Sequence, residues 1–348
     1  MSATTAAAPG PSPVTPPPGL HPERLLRLVR RAVTECELDL DGAVVLTEAA
    51  TGAYVVTPVV AALAGARHVF ALSRDTRYGS VADVTRATMD LAARAGVADR
   101  IEIVTEKTEP IVAAADIITN SGHLRPIDAR MVGWMRPDVV VPLMFESWEL
   151  DGNRADVDVD ALLARGIRTA GTNERNPAVD VFNYLGPMAV KQLTDAAVAV
   201  RHSRILVICD NPFASFLGEG LRSAGADVEV VPVPPDSFAP DLDAVVVAVQ
   251  PTGDPVFGES EARGLFAAAP GAVVTQFWGD IDRDALDRVG VAYWPEHAPA
   301  AGHMGVLPSA LGPEAIVRLQ TGGLKVGSVL RKASAERTPA EAAFLDEL

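Results

Sequence analysis

The stretch "RILVICDNPFASFLGEGLRSAGADVEVVP", residues 204–232, decides the fold. An apolar strand at 205–208 meets a turn, then a helical stretch, a closing Gly225 and a second β-branched strand at 228–232. This is the rhythm of a βαβ unit of the dinucleotide-binding kind, which carries G-x-G-x-x-G where strand becomes helix. Counting back from Gly225 by the usual helix length puts Cys209, Asn211 and Ala214 at the three glycine places. Asparagine tolerates left-handed backbone and so partly replaces glycine. Cys209 sets a side chain where a pyrophosphate would press, and Pro232 stands where an acid would hold a ribose. Two readings of "CDNPFA" (209–214) follow. One is a modified ligand loop that uses Asp210, Asn211, Phe213 and Ala214. The other is an ordinary helix start, with Asp210 or Asn211 as N-cap and Pro212 as first helical residue.

Outward from this unit, short apolar runs alternate with helical stretches in both directions. Upstream, strands read at 43–47, 67–72, 101–104, 116–119, 138–142 and 167–170. Downstream they read at 243–248, 272–276 and 291–294. Buried runs separated by helices predict mostly parallel, doubly wound sheets. The fold class is therefore α/β, with two Rossmann-like domains joined by a long helix. The expected boundaries are a Pro/Ala-rich tail (1–22), an N-terminal α/β domain on the substrate side (23–176) and a bridging helix (177–199). A Rossmann-like domain of the cofactor type (200–312) and a C-terminal helix with tail (313–348) follow. In the bridge, Asn176 can N-cap, Pro177 suits the first helical position, and Val181, Leu185 and Met188 form an apolar stripe. An amphipathic helix reads at 23–33, and a last one starts near Pro313 and ends at Gly322 and Gly323.

The chain has 348 residues, enough for two cores, with 30 Lys and Arg against 45 Asp and Glu. That acidic balance argues against nucleic acid, whose phosphates need cations. The two cysteines, Cys36 and Cys209, form no metal or disulfide pattern, and no run spans a bilayer. The opening "MSATTAAAPGPSPVTPPPG" has neither the basic start nor the apolar core of a signal peptide. The expectation is a cytoplasmic protein with a small-molecule substrate, no metal, no membrane or nucleic-acid partner, and a homodimeric state.

The order of segments from about 115 to 323 resembles the D-2-hydroxyacid dehydrogenase family. The resemblance rests on "AADIITNSGHLRPIDARMVGWMRPDVVV", "DVDVDALLARGIRTAGTNERNPAVDVFNYLGPMAVKQL", "LDAVVVAVQPTGDP" and "GAVVTQFWGDIDRDALDRVGVAYWPE". It implies an oxidoreductase using NAD or NADP, with its substrate in the interdomain cleft. Glu296 resembles that family's glutamate, and His303 in "AAGHMG" its histidine, the acid–base pair. The substrate arginine of "N-x-x-R-G" is absent, with "TQFWGDID" in its place. Thr252 and Gly253 join Asp210, Asn211, Phe213 and Ala214 as cofactor-side candidates. A second resemblance covers 43–105. "VVLTEAATGAYVVTPVVAALAGARHVFALSRD" is similar to the opening of S-adenosylmethionine-dependent methyltransferases, with Gly52 left from the loop and Asp75 the nearest acid. A third alternative is a ligand-binding or scaffold protein on degenerate Rossmann domains.

Other candidates lie past strand ends, where α/β sheets place ligands. In "NSGHLRP" (120–126), Asn120, Ser121 and the Gly122 backbone suit a carboxylate, with His123 or Arg125 supplying charge; helix capping explains the same residues. "FESWE" (145–149) sets Trp148 between the acids Glu146 and Glu149, which suits a cationic or amphipathic substrate, with core packing as the alternative for Trp148. "GTNERN" (171–176) packs Thr172, Asn173, Glu174, Arg175 and Asn176 at an expected hinge, more polar side chains than one helix cap requires, which points to ligand contact or domain closure. "SRDTRYG" (73–79) ends a strand and presents Arg74 and Arg77, either to a ribose or phosphate or to solvent.

Overall fold

A computed structural model describes residues 17–152 and 156–348. Six parallel strands open the chain: β1 (Val44–Glu48), β2 (His68–Leu72), β3 (Ile101–Val104), β4 (Ile117–Ile118), β5 (Val140–Pro142) and β6 (Arg168–Thr172). Five more follow: β7 (Arg204–Ile208), β8 (Asp227–Val231), β9 (Ala244–Ala248), β10 (Val273–Trp278) and β11 (Ala292–Trp294). The first sheet has the order β3-β2-β1-β4-β5-β6, and the second β8-β7-β9-β10-β11. Both are doubly wound, as the alternation of runs requires. Apolar clusters cover both faces of each sheet. Val45, Val69 and Ile117 pack with Val56 and Val59 on one side of the first, and Leu46, Leu72 and Ile118 with Met131 on the other.

The strand positions read from the apolar runs agree with the structure to within two residues. Four helical or terminal expectations need correction. The bridge is not helical from 177; an α-helix runs only over Leu185–Asp195, after a short 3-10 turn at Phe182–Tyr184. Asn176 does use its side chain, but to accept the Ala178 amide in a turn, and Asp180 takes φ +52°. The Val181 amide bonds back to the Glu174 carbonyl, which closes that turn and excludes a helix there.

The C-terminal helix spans Glu314–Arg331 and passes straight through Gly322 and Gly323. A Cβ at Gly323 would lie 1.9 Å from Met144 Sδ, and one at Gly322 2.8 Å from Val179. These glycines let the helix sit on β5 and β6 of the first sheet, so the C-terminus returns to the N-terminal unit. Beyond it, Leu345–Asp346 forms β12, antiparallel to β6. At the other end the first α-helix starts at Pro22 (Pro22–Glu35), with a 3-10 turn at Pro18–Leu20 before it. Residues 1–16 of the expected tail lie outside the described residues.

Candidate functional site

The C-terminal edge of the first sheet carries a dense polar layer. Strand β1 ends in Glu48, 3% exposed, whose Oε2 accepts the His123 amide at 3.0 Å across the β1/β4 boundary. Gly122 is what permits this, since a Cβ there would lie 1.9 Å from Glu48 Oε2. Burial pushes the Glu48 carboxyl above the usual range, against the His123 amide and the Arg125 charge. Burial, with the Glu48 charge next, pushes the nearby Tyr54 phenol up to about 12. On the other face of the same strand end, the hydroxyls of Thr47, Thr119 and Ser121 satisfy one another (Thr119–Ser121 2.7 Å, Thr47–Thr119 2.9 Å). Asn120 Oδ1 accepts the Met144 amide at 2.7 Å, while its Nδ2 is buried without a partner.

A stability prediction follows from Glu48. A carboxyl raised in the folded state binds its proton more tightly there than in the unfolded chain. Its contribution is full below the unfolded value near 4.5 and is lost as pH rises toward the folded value. Glu48→Gln keeps an acceptor for the His123 amide and removes the titration. The variant is expected to match wild type near pH 4 and to exceed it at pH 7, by about 1.4 kcal/mol for each unit of displacement. Melting curves across pH 4–8 that stay parallel for the two proteins would remove this account.

Between the two sheets lies a cavity of about 530 Å³. The first unit lines it with Arg125 after β4, Phe145 and Glu149 after β5, and Glu174 after β6. The second unit supplies Phe213 after β7, Thr252 and Gly253 after β9, and Trp278 and Asp280 at the end of β10. Phe182, Leu185 and Met188 from the bridge and Leu319 from the C-terminal helix complete the apolar wall. Phe213 stacks between Phe182 (5.2 Å) and Trp278 (5.3 Å), with Trp148 edge-on to both Phe213 and Trp278. Arg125 is fixed by two bonds, Nε to the Asn120 carbonyl (2.6 Å) and Nη1 to Asp156 (2.9 Å). His303 belongs to the second unit's share of the lining. Its loop is pinned by Trp278 Nε1 donating to the Gly302 carbonyl (3.1 Å) and by the Gly305 amide on the Phe277 carbonyl (2.9 Å).

Of the residues singled out from sequence, Arg125, Glu174, Phe213, Thr252, Gly253 and His303 line this cavity. Glu296 does not line it; it is exposed, and no hydrogen bond joins it to His303 among the described residues. Glu146 is fully buried beneath the cavity wall, accepting from Trp148 Nε1 (2.8 Å), Arg175 Nε (3.0 Å) and the Glu174 amide (3.1 Å). It orders the 146–149 and 174–175 loops, which present Glu149 and Glu174. Thr172 donates to the Leu143 carbonyl, and Asn173 ties to the Ala343 carbonyl near the C-terminus. Asn120, Ser121, Gly122 and His123 stand behind Arg125, not on the lining itself. The sequence reading missed the apolar lining residues Phe182, Leu185, Met188, Trp278 and Leu319, which look like core.

In the 209–214 loop the polar side chains are engaged by the protein itself. Asp210 Oδ1 accepts the Gln250 amide (2.9 Å), and Asn211 Nδ2 donates to the Ala248 carbonyl (2.8 Å). The two loops at this sheet's reversal point are thereby stitched together. Asn211 Oδ1 accepts the Phe213 amide in a turn, and the helix runs over Phe213–Ser223 with Pro212 at its N-cap, one residue later than the helix-start reading expects and without a side-chain cap. Cys209 is 4% exposed, and burial raises its thiol to about 12, which leaves it an inert packing group. In the first unit, Asp75 Oδ1 accepts the Val81 amide (2.7 Å) at the start of the next helix.

No helix among the described residues is long and apolar enough to cross a membrane, and no group of three or more His, Cys, Asp or Glu there is placed to hold a metal. No family model matches the sequence, and no curated protein matches it. Solved structures do match by shape. A dipicolinate synthase chain from Bacillus halodurans superposes with a TM-score of 0.53 at 10% identity, covering 85% of this chain and 100% of that one. Its counterpart in the dipicolinate synthase of Bacillus subtilis gives 0.53 at 10% identity, covering 86% and 100%. D-2-hydroxyacid-type dehydrogenases are also among the matches. One is the NAD-dependent formate dehydrogenase from Staphylococcus aureus in complex with NAD (TM-score 0.46, 13% identity, 81% and 93% covered). The chain therefore shares the two-sheet, Rossmann-like α/β fold of these dipicolinate synthase chains.

Proposed function

We propose that the protein is an NAD(P)-dependent oxidoreductase that acts on a small polar substrate in the cavity between its two sheets. The observation that carries this reading is the cavity itself. Its lining combines a fixed guanidinium from the first unit, an imidazole from the second and the aromatic side chains of Phe182, Phe213 and Trp278. Arg125 suits an anionic group of the substrate, because a guanidinium held by two bonds keeps a defined direction. His303 suits proton transfer at the reacting oxygen, since imidazole is the usual carrier near neutral pH. Hydride chemistry belongs to the cofactor, and the chain supplies binding, orientation and the proton. The resemblance of residues 115–323 to D-2-hydroxyacid dehydrogenases supports the cofactor class.

Calorimetry with NADH, NADPH and S-adenosylmethionine, followed by turnover on a panel of 2-oxo acids, tests it. Saturable binding of a nicotinamide dinucleotide and oxidation of it by a 2-oxo acid are expected. Arg125→Gln is expected to raise KM about 10–100-fold with a smaller change in kcat, the pattern of a lost binding contact. Binding of S-adenosylmethionine alone would replace this reading with a methyltransferase.

A further inference from the structure

Strand β12 joins the first sheet with Leu345 opposite Thr172 and Asp346 opposite Gly171. Backbone pairing alone would cover the open edge of β6. Here side chains also reach across, to the two loops that present Glu149 and Glu174 to the cavity. Asp346 Oδ2 accepts both the amide (2.6 Å) and the hydroxyl (2.8 Å) of Ser147. In the other loop, the Asn173 amide donates to the Phe344 carbonyl (3.0 Å). The side-chain amides of Asn173 and Asn176 both donate to the Ala343 carbonyl (2.9 and 3.1 Å). Gly171 lets these segments close. A Cβ there would stand 2.8 Å from the Ser147 nitrogen and 2.9 Å from the Phe145 carbonyl oxygen. Phe344 anchors the strand, buried and with the Lys325 ammonium 5.4 Å from its ring.

Ser147 matters because of the residue after it. Trp148 reaches the second unit: its ring stands edge-on to Phe213 (5.4 Å) and Trp278 (5.8 Å), and its carbonyl accepts Gln250 Nε2 (3.2 Å). Phe213 and Trp278 line the cavity, as does Glu149 one residue further on. Two carboxylates fix this loop. Glu146 holds the indole N–H of Trp148 (2.8 Å), and Asp346 holds the main chain just before it. A bond at the indole tip leaves the Trp148 Cα free to shift, whereas a bond to the preceding amide sets where that Cα lies.

We propose that Asp346 is a positioning residue for the cavity. Acting through Ser147, it sets Trp148 against Phe213 and Trp278 and holds Glu149 on the wall, so that substrate fit depends on β12. A small misplacement of such a wall is felt at the reacting centre, because binding geometry is what the cavity supplies. The substrate part rests on the oxidoreductase reading above; the placement of Trp148 does not.

Circular dichroism and steady-state kinetics of the full chain, on wild type, Asp346→Ala and Asp346→Asn, test the assignment. Two indoles 5.8 Å apart couple their transitions, so wild type is expected to show a far-ultraviolet exciton couplet that Trp148→Phe removes. Asp346→Ala is expected to lose most of that couplet well below its melting temperature. It is also expected to raise KM about tenfold, with kcat within about twofold, for whichever 2-oxo acid of the panel wild type turns over fastest. Asp346→Asn keeps a side-chain oxygen able to accept both Ser147 bonds and is expected to restore couplet and KM. Ser147→Ala removes one of the two bonds without touching β12 and is expected to move both readouts the same way, by less. A lower melting temperature for Asp346→Ala with couplet and KM unchanged would reduce β12 to an edge cover and overturn the proposal. Equal loss of the couplet in the Ala and Asn variants, or its absence from wild type, would overturn it too. No turnover of any 2-oxo acid would remove the oxidoreductase reading, and the couplet alone would then decide the role of Asp346.

Discussion

His303→Ala is expected to lower turnover by about 10²–10⁴-fold, the range over which a positioned general acid or base contributes. The loop that carries His303 is held by its backbone and by Trp278, not by the imidazole. The His303 amide bonds the Ala300 carbonyl, and Trp278 and Phe277 hold the residues on either side. The side chain itself is exposed on the cavity rim. Truncation therefore deletes the proton carrier and little packing, and the melting temperature is expected to stay within about 2 °C of wild type, as for a substitution worth less than ~0.5 kcal/mol. Nucleotide affinity is expected to stay as well, because no candidate nucleotide contact runs through this loop. Rescue of turnover in the variant by added imidazole separates proton transfer from simple crowding of the cavity. A His303→Ala protein with wild-type kcat would leave Arg125 and the loops around it as the reacting side and end the acid–base role of His303.

How much of this was legible in the sequence depends on the range of the forces involved. Strand positions were legible because a buried parallel strand is a contiguous apolar run, and Ile205, Leu206, Val207 and Ile208 are buried on both faces. The bridging helix was not. Asn-Pro reads equally as an N-cap with its first helical residue or as a tight turn, and only the Val181–Glu174 bond decides between them. Gly322 and Gly323 read as a helix end because glycine usually caps, whereas here the reason is the approach of Met144 and Val179 from elsewhere in the chain. Strand β12 is two residues long and has no period to read. At the site, polar residues past strand ends stood out, among them Arg125, Thr252 and His303. Phe182, Met188 and Trp278 did not, since an apolar cavity wall and a core face share one pattern.

Gly220→Ala is expected to destabilise the protein by about 3 kcal/mol, the upper end for overpacking, because the clash is with backbone. The helices Leu185–Asp195 and Phe213–Ser223 cross at Gly186 and Gly220. A Cβ on Gly220 would stand 2.3 Å from Gly186 Cα, and one on Gly186 2.6 Å from Gly220 Cα. No rotamer relieves a contact between two main chains, so one methyl must push the helices apart along their whole interface. Leu185, Met188, Ala189, Leu217 and Leu221 are buried there and lose packing together. At about 2–4 °C per kcal/mol, the melting temperature is expected to fall by roughly 6–12 °C. Gly133, also helical but with nothing within 4 Å of its Cβ position, is the control: Gly133→Ala is expected to be neutral or to gain up to ~1 kcal/mol from helix propensity. The double variant Gly186→Ala, Gly220→Ala is expected to cost less than the sum of the singles, because helices already separated by one methyl admit the second more cheaply. Leu185, Met188 and Phe213 also line the cavity, so the same displacement reshapes its apolar wall. Gly220→Ala is thus expected to raise KM at temperatures well below its melting point, which ties helix spacing to substrate fit. Melting temperatures equal for Gly220→Ala and wild type would mean the helices do not meet at these glycines, and the apolar wall would then be set by the sheets alone.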